Sequence, residues 1–462
     1  MKKDHIVLIA FILIPLYLLS VISFLRPVQA VSEDENRTLK QMPEFSWHAL
    51  ASGEFTRSFE DFYADQFPFR QFFINTNKKV MDLLKKPFAG EAELIKKPDG
   101  EIDLGEGEKL EPDPDDKVVF PTATPTQSSE TTPRPTAQPT KQPTPTKCPA
   151  PSPTPTATPE PTSPQVTGAV EKVSGVIIVN GRAMELFYFS ESRSERYVKL
   201  VNQLQEKLPD VQVYSLVAPT SVEFYSPEKY HSLSSSQHDA ISNIYSRLDP
   251  AVRTVDAYGE LIAYCQDYIY FRTDHHWTAR GAWCAYKAFS KEAGFTPYDL
   301  KTFKSGVVPG DFLGSLYRYT KSDKLKENPD YVEYFLPLVE SEGIAFDSTK
   351  MNEGYKIKAV STTVNSSNKY LAFIQGDNPM VRLTTSLKNG KKIVVLKESF
   401  GNALVPFLLN HYEEVYVIDP RSLKADLPQF VKQNGIQEIL IVNYAFAITN
   451  EKWLDGFEAM IK

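Results

Sequence analysis

The sequence is poor in cysteine, with three cysteines among 462 residues. That number is too small for a domain built on disulfides. Cys265 and Cys284 could pair on an oxidising cell surface or remain two buried thiols, whereas Cys148 stands alone in a Pro-rich stretch. Long basic runs are also missing, and the net charge of −7 is spread along the chain. These features exclude a disulfide scaffold and argue against nucleic acid as a partner.

One long apolar run occurs at residues 6–25, without a charged side chain. About 20 apolar residues are the length of one membrane span. Lys2 and Lys3 precede the run, so the rest of the chain should face outward. A cleaved signal peptide is the alternative, because residues 28–30 resemble a cleavage site. Since the run is long for a signal peptide, we predict an uncut membrane anchor at residues 1–30 and a cell-membrane location with an extracellular main domain.

Residues 31–100 are predicted to form phenylalanine-rich helices. Apolar side chains recur at helical spacing over residues 55–84, and Pro68 should split this run into two helices. Asp65 and Arg70 flank that break and fit a structural salt bridge better than a site. So many phenylalanines cannot face water, and we expect the segment to pack on the main domain.

Residues 101–166 are predicted to form a disordered linker. Over residues 121–164 the composition collapses to Pro and Thr with a few other residues, which leaves nothing to bury. Pro would keep this stretch extended. Two arrangements stay open. The linker could hold the following domain away from the membrane, or it could be a surface insertion within one domain, because doubling a loop's length costs only about 0.6 kcal/mol.

Strands and helices alternate in residues 167–462, and this rhythm predicts an α/β domain with a mostly parallel sheet and helices on both faces. Residues 301–366 are less regular and could form a lid or an insertion. Ligands of such sheets bind beyond the carboxyl ends of the strands. The predicted strands are 176–179, 211–217, 268–271, 370–374, 392–396, 414–418 and 437–442, and the main predicted helices are 192–207, 239–248, 403–410 and one that begins near residue 278.

Asp274, His275, His276 and Trp277 lie between a predicted strand and a predicted helix whose N-cap would be Thr278. Residues two apart in an extended turn can point the same way, so Asp274 could orient His276. A histidine so oriented is the usual base for a serine nucleophile. The alternative is a turn in which these side chains are only structural. A metal site would need a third ligand, and no further cluster with metal spacing is visible, so we predict neither a metal nor a cofactor.

Ser399 follows the predicted strand 392–396 and precedes a predicted helix. Such a turn would lift the hydroxyl above the sheet, and the helix N-terminus would stabilise negative charge beside it. Taken alone, Ser399 is more simply a helix N-cap. Because Asp274 and His276 are predicted at the same sheet, we favour Ser399 as a nucleophile. The Ser399 N–H would then supply one oxyanion donor, while the sequence indicates no second donor.

The motif Arg272-Thr273-Asp274-His275-His276-Trp277-Thr278 resembles the signature of the DHHW protein family, which is similar to the SGNH-hydrolase-like alginate O-acetylation proteins. The chain has Lys397-Glu398 where Gly-Asp usually precedes the nucleophilic serine. Its Asp-His pair comes before the serine, in the permuted order of the alginate-type proteins. The resemblance covers both sides of the linker and favours the insertion. It extends to residues 65–70, 217–220, 375–379 and 399–402.

The resemblance implies an SGNH-hydrolase-like fold and a serine-dependent O-acetyltransferase or acetylesterase that acts on a cell-surface polysaccharide. Ser399 would attack the acyl donor, His276 would take its proton, and Asp274 would support His276. The acetyl group would come through a membrane-bound O-acyltransferase partner, and either water or a sugar could be the acceptor. The alternative is a non-catalytic carbohydrate-binding or cell-envelope assembly protein of the same fold. The candidates for substrate binding are His275, Trp277, Asn378, Asn402 and Tyr444, the last of which could instead close the core.

Overall fold

The computed structural model describes Val28 and residues 31–32, 37–43, 45–47, 50, 54–67, 108–120, 170–173 and 175–462. The predicted anchor, the part of the helical run beyond residue 67 and the Pro/Thr-rich stretch lie outside the described residues. Within the described ranges, no helix is both long enough and apolar enough to cross a membrane.

The strands of the described part are numbered here in chain order. They are β1 (Val31–Ser32), β2 (Arg37–Thr38), β3 (Lys117–Val119), β4 (Val170–Val173), β5 (Val176–Val179), β6 (Arg182–Glu185), β7 (Gln212–Ala218), β8 (Arg253–Val255), β9 (Ser305–Val307), β10 (Glu333–Phe335), β11 (Ser341–Phe346), β12 (Glu353–Ile357), β13 (Met380–Thr385), β14 (Lys392–Lys397), β15 (Glu414–Ile418) and β16 (Glu438–Tyr444).

The α-helices follow the same numbering. They are α1 (Glu54–Asp65), α2 (Glu191–Lys207), α3 (Ser221–Tyr225), α4 (Gln237–Tyr245), α5 (Ala257–Ala263), α6 (Ala279–Ala293), α7 (Ser315–Thr320), α8 (Asp323–Lys326), α9 (Gly401–Leu408), α10 (Leu427–Gln433) and α11 (Glu451–Ile461). Short 3₁₀ helices occur at Pro114–Asp116, Glu228–Leu233, Leu300–Thr302, Lys369–Ala372 and Ala447–Thr449.

A nine-stranded mixed sheet forms the centre of this part of the chain, in the order β3-β12-β11-β13-β15-β14-β16-β7-β8. The half from β15 to β8 is parallel. The half from β3 to β15 is antiparallel, so the prediction of a mostly parallel sheet is corrected for this half. The short connection between β11 and β12 explains the direction of that pair, because parallel strands need a crossover of a dozen or more residues.

Apolar side chains of the sheet belong to two hydrophobic cores, one on each face of the sheet. Along β16, Leu440 and Val442 belong to the first core, whereas Ile439 and Ile441 belong to the second. This alternation follows from the two-residue period of a strand. Helices α5, α6 and α9 pack on the first face, and α2, α4, α10 and α11 pack on the second. The parallel half is therefore buried on both sides, as its continuous apolar sequence requires.

Residues 108–120 lie inside the segment predicted to be a linker, but they pack on the main domain. Strand β3 pairs with β12 at the edge of the large sheet. Phe120 contacts Phe346 with ring centroids 6.2 Å apart, and Lys109 forms a bridge to Gly376. The linker prediction is corrected for these residues, because a short branched and aromatic run suffices for an edge strand. Residues 108–120 therefore belong to the main domain, and the choice between a spacer and a surface insertion stays a prediction.

Two predicted strands are not strands. Residues 268–271 belong to a loop that bridges back on itself between Tyr270 and Trp277, and the segment predicted as strand 370–374 begins with a 3₁₀ helix. Tyr270, Phe271 and Tyr370 are buried, so their aromatic character reflects enclosure by the core. Residue pattern alone does not separate a buried loop from a buried strand.

The two cysteines near the motif are not paired with each other. Cys265 and Cys284 are both buried and free, which selects the second of the two alternatives raised by the sequence. Burial raises the pKa of the Cys284 thiol to about 12. The thiol therefore keeps its proton at neutral pH and is a poor nucleophile.

Candidate active site

The imidazole of His276 connects Asp274 to Ser399. Its Nδ1 lies 2.6 Å from Asp274 Oδ1, and its Nε2 lies 2.7 Å from Ser399 Oγ. Both distances are within hydrogen-bond range. Folding thus brings together two residues that are 123 positions apart in the sequence. The three side chains stand in the order that a nucleophile, its base and an orienting carboxylate require.

The Asp274 carboxylate is held from two directions. Its Oδ1 accepts the His276 backbone N–H at 2.9 Å, and its Oδ2 accepts the Ser315 backbone N–H at 2.8 Å. A Cβ at Gly314 would overlap the Asp274 side chain, so only glycine fits there. Burial alone would raise the pKa of Asp274, but His276 and these hydrogen bonds hold it well below its usual range. An ionised carboxylate only accepts, so His276 Nδ1 carries the proton and Nε2 faces the serine as an acceptor.

Asp330 anchors the loop in front of the motif. This fully buried carboxylate accepts the Thr273 N–H and hydroxyl at 2.6 Å each, together with the Arg272 backbone N–H at 2.9 Å. The Arg272 side chain adds an ion pair at 3.1 Å. The irregular region 301–366 therefore contributes the supports of the motif, where the sequence suggested a lid or an insertion. An isolated aspartate in an irregular stretch carries no signal that could have identified it.

Ser399 stands in the tight turn between β14 and α9. A Cβ at Gly401 would lie 2.6 Å from Lys397 Cβ, so the turn requires glycine for close approach. The Glu398 carboxylate accepts the Phe400 N–H and the Tyr444 N–H, each at 2.9 Å, and so ties the turn to the end of β16. Glu398 Oε2 also lies 3.3 Å from Ser399 Oγ.

The backbone N–H groups of this turn differ in their availability. The Phe400 N–H is already bound by Glu398. Within the described part of the chain, nothing accepts a hydrogen bond from the Ser399 N–H. That group lies beside the N-terminus of α9, where negative charge is stabilised. The Ser399 N–H is therefore free to bind an oxyanion.

A buried ion cluster lies next to the turn that holds Ser399. Asp377 accepts from Lys397 Nζ at 2.7 Å, Arg421 Nη2 at 2.8 Å and Asn402 Nδ2 at 2.9 Å. Burial alone would raise the pKa of Asp377, but the two cations hold it well below its usual range. The unusual Lys397 before the serine thus finds its countercharge in Asp377.

The chain reaches Asp377 through strained backbone. Ile374, Gln375 and Gly376 have φ values of 45°, 57° and 95°. A branched residue such as Ile374 rarely adopts the left-handed region. Strain of this kind persists only where surrounding contacts hold it, and it clusters at functional sites.

Three of the predicted substrate-binding residues are engaged inside the protein. Trp277 is fully buried, and its indole N–H donates to the Phe400 carbonyl at 2.9 Å. Tyr444 stacks on Phe400 with ring centroids 4.7 Å apart. The Asn378 amide donates to the Ile374 carbonyl at 3.2 Å. In the structure the three side chains therefore support the site from within, and their binding of substrate stays a prediction.

The other two predicted substrate-binding residues, His275 and Asn402, each have a polar atom without a hydrogen-bond partner among the described residues. His275 Nδ1 lies 2.6 Å from Ser315 Oγ, but its Nε2 is buried and unpartnered. Asn402 Oδ1 is likewise buried and unpartnered. Burial lowers the pKa of His275 well below its usual range, and so does His276, which keeps the ring neutral at pH 7. A buried polar atom without a partner is costly, and a bound ligand can satisfy it.

Tyr370 also belongs to the site, although the sequence did not single it out. Its ring stacks on His276 with centroids 4.0 Å apart, and its hydroxyl donates to the Ser399 carbonyl at 3.0 Å. The His275 ring packs against the same imidazole at 3.8 Å. A tyrosine within an aromatic run is more often a core residue, so the pattern carries no site signal.

Metal binding has a geometric basis here. Within the described residues, Asp274, His275 and His276 each offer a ligand atom, and these atoms lie within 4.8 Å of one another. His275 would supply the third donor atom, which the spacing of Asp274 and His276 alone does not indicate. The Nδ1 atoms of both histidines already bind Asp274 and Ser315. A metal that used them would displace the bond that orients His276, so the donor set fits a proton relay better.

The fold and the site define an α/β protein with a mixed sheet and a hydrogen-bonded Ser-His-Asp chain at the carboxyl end of a parallel strand. More specifically, the chain belongs to the DHHW protein family, whose model matches residues 35–418. No curated protein matches the chain.

Solved structures that match the chain come from several bacteria. A DHHW family protein from Eubacterium siraeum is 30% identical with a TM-score of 0.59, and the match covers 64% of this chain and 98% of that one. Bacillus cereus PatB1, solved with a sulfonyl adduct, is 16% identical with a TM-score of 0.50 over 62% and 99% of the two chains. The O-acetyltransferase domain of Pseudomonas putida AlgJ is 11% identical with a TM-score of 0.35 over 64% and 99%.

Proposed function

We propose that the protein is a membrane-anchored extracellular serine O-acyltransferase or esterase that acts on a cell-surface polysaccharide. The observation that carries the proposal is the hydrogen-bonded chain from Ser399 through His276 to Asp274, with distances of 2.7 and 2.6 Å. Such a chain activates a hydroxyl that is otherwise a weak nucleophile. The anchor, the glycan and a membrane-bound O-acyltransferase partner rest on the apolar run and on the family resemblance.

The reaction proceeds in two acyl transfers. Ser399 Oγ bonds to the acyl carbonyl carbon while its proton moves to His276 Nε2. The leaving alcohol takes that proton as its bond to the carbonyl carbon breaks, which leaves an acyl-serine. Water or a sugar hydroxyl then attacks the acyl carbon, gives its proton to His276, and Ser399 recovers a proton as it leaves. Asp274 stabilises the positive charge on His276 in both steps.

Two features of the surroundings support this chemistry. The Ser399 N–H is free to hydrogen-bond the oxyanion that forms on the acyl carbonyl oxygen. The unpartnered His275 Nε2 and Asn402 Oδ1 supply polar contacts for substrate groups next to the nucleophile. A site that hydrogen-bonds a substrate hydroxyl discriminates strongly against analogues without it.

Turnover of a chromogenic acetyl ester by the purified protein tests the proposal. We expect Ser399→Ala and His276→Ala to lose activity by about 10³-fold or more, because each removes a member of the relay. The exposed Ser246→Ala is the matched control and should turn over like the parent. Mass spectrometry of an oligosaccharide added to the reaction separates transfer to sugar from hydrolysis.

Two outcomes would contradict the proposal. If Ser399→Ala and His276→Ala both match the parent, these residues are not the catalytic group. If the folded parent turns over no ester and acetylates no sugar, the protein is the non-catalytic carbohydrate-binding or assembly protein that the sequence left open.

A further inference from the structure

Tyr370 contacts both members of the nucleophile–base pair. Its ring lies almost parallel to the His276 imidazole, with an interplanar angle of 14° and centroids 4.0 Å apart. Its hydroxyl donates to the carbonyl oxygen of Ser399 at 3.0 Å. One side chain therefore spans the base and the backbone of the nucleophile, which are otherwise joined through the hydrogen bond between Nε2 and Oγ.

The surroundings of Tyr370 hold it rigidly. It lies in the 3₁₀ helix Lys369–Ala372, and its backbone N–H donates to Asn368 Oδ1 at 3.2 Å. The Asn368 amide in turn donates to Glu108 at 2.6 Å. Phe373 packs edge-on against the ring at 5.3 Å. Burial raises the pKa of Tyr370 well above its usual value, so its hydroxyl stays protonated and acts as a donor.

We infer that Tyr370 is a positioning residue for the proposed acyl transfer: its ring holds His276 towards Ser399 and stabilises the imidazolium, and its hydroxyl fixes the backbone of the nucleophile. The inference rests on the proposed function. It assigns two separable tasks to one side chain, and neither task touches the substrate.

The stabilisation by the ring has an electrostatic cause. His276 becomes positively charged when it takes the proton of Ser399. The face of an aromatic ring carries partial negative charge and attracts a cation, most strongly where water is excluded. The groups that face the imidazole are Asp274, His275, Tyr370, Ser399 and Phe400, with the Glu398 carboxylate 3.3 Å beyond the Ser399 hydroxyl. Of these, the Asp274 carboxylate neutralises the imidazolium through Nδ1, and the neutral His275 adds no opposing charge.

The two tasks can be separated by substitution. Tyr370→Phe keeps the stacked ring and removes only the hydroxyl, whereas Tyr370→Leu and Tyr370→Met remove the ring. The rate at which an aryl sulfonyl fluoride labels Ser399 is measured against pH by intact-protein mass spectrometry. In that reaction Ser399 Oγ bonds to sulfur, the sulfur–fluorine bond breaks, fluoride leaves, and His276 takes the proton.

We expect the variants to differ in rate and in pH dependence. Tyr370→Phe should label a few times more slowly with an unchanged pH profile. Tyr370→Leu and Tyr370→Met should label roughly 10- to 100-fold more slowly, because the base is misplaced. Without the ring the base is harder to protonate, so the acid limb of the profile should move to lower pH by roughly half a unit to one unit. For the chromogenic ester, kcat should fall while KM stays near that of the parent.

The controls separate failure of this inference from failure of the proposed function. Tyr298→Leu removes a partly exposed ring that contacts Phe303 and His411, away from the triad, and should keep the rate and the pH profile of the parent. Folded Tyr370→Leu or Tyr370→Met with the rate and pH profile of the parent would overturn the inference, even if Ser399→Ala is inert. Equal shifts of the acid limb in Tyr370→Phe and Tyr370→Leu would overturn the role of the ring. If Ser399→Ala is labelled like the parent, the proposed function itself fails.

Discussion

The two arms of the Ser-His-Asp chain are built in different ways. The nucleophile arm is a strand, a tight turn and a helix, β14 to α9, so regular backbone structure places Ser399. The base arm is a loop without regular structure in front of α6, and side chains place it. Asp330 binds this loop from 57 positions away, and the Ser315 N–H holds Asp274 from 41 positions away.

Because of this difference, the two arms differ in how well neighbouring residues predict them and in how sensitive they are to single substitutions. A strand followed by a turn and a helix is specified by neighbouring residues, since apolar runs and glycine act over short distances. A loop held by buried carboxylates depends on partners that the chain supplies much later. Buried polar contacts of that kind are sensitive to single substitutions, because a lost partner leaves the other group unsatisfied.

Replacing Asp377 tests whether the nucleophile arm really depends on backbone alone. In Asp377→Ala the buried Lys397 and Arg421 lose one carboxylate and keep Asp419, which lies 3.9 and 2.7 Å from them. Removing one partner of a buried ion pair costs about 3–5 kcal/mol, so we expect the free energy of unfolding, measured with urea, to fall by up to that amount. Such a loss would show that the nucleophile arm also depends on distant side chains, and the difference between the two arms would then be smaller than their backbone structure indicates.

A double-mutant cycle provides the control for Asp377. Lys397→Met removes the opposite charge, so the double variant should lose less stability than the sum of the two single variants. Strictly additive losses would show that the ion cluster is energetically unimportant. The backbone alone would then account for the nucleophile arm.

Crowding the base arm should damage activity more than stability. Gly314→Ala would force Asp274 away from its place, because the added Cβ overlaps the carboxylate side chain. A misplacement of about 1 Å can cost roughly 100-fold in rate. We expect ester turnover to fall by about that factor while the variant still folds, as measured by kcat/KM and by thermal unfolding.

Gly354→Ala is the matched control for Gly314→Ala. Its Cβ would overlap the Ala345 carbonyl in the antiparallel half of the sheet, away from the triad. This variant should lose stability and keep its turnover per folded molecule. If Gly314→Ala retains full turnover, the support of Asp274 by the α7 segment is not required.

Much of the regular structure around the site could be predicted from the sequence. The strand predicted at residues 414–418 has the bounds of β15, and the strand predicted at 392–396 differs from β14 by one residue. Thr278 is confirmed as the N-cap of α6, since its hydroxyl accepts the Arg280 N–H at 3.2 Å. These features depend on local apolar runs and on capping chemistry, which neighbouring residues determine.

The remaining features depend on contacts that no local pattern encodes. The antiparallel strands β11 and β12 lie in the region that looked irregular, and Asp330 and Ser315 lie in that same region. Tyr370 and Phe271 looked like strand residues because buried aromatic loops share the composition of strands. The segments that carry these residues belong to the site because the fold brings them close together in space, and no local sequence pattern encodes that closeness.

The response of stability to pH should differ between the two arms. In the base arm, burial lowers the pKa of His275, and nearby His276 and Arg318 lower it further, while Asp274 and Asp377 oppose this. In the unfolded chain this histidine takes a proton below about pH 6.5. As pH falls through that value, the unfolded state binds more protons than the native state, so stability falls by up to about 1.4 kcal/mol per pH unit.

Urea unfolding of the parent and of His275→Gln at pH 7, 6 and 5 measures the contribution of His275 to the pH dependence of the free energy of unfolding. The free energy of unfolding should decline less steeply with falling pH in the variant, by the slope that corresponds to about one proton. Burial also lowers the pKa of His411, to about 4, and the decline that this histidine causes is common to both proteins. In the nucleophile arm the pKa of Asp377 is held well below its usual range, so its contribution is lost only as pH falls below about 4. Asp377→Asn should therefore keep the slope of the parent over this window. Equal slopes for the parent and His275→Gln would mean that folding does not exclude a proton from His275, and the base arm would no longer differ from the nucleophile arm in its response to acid.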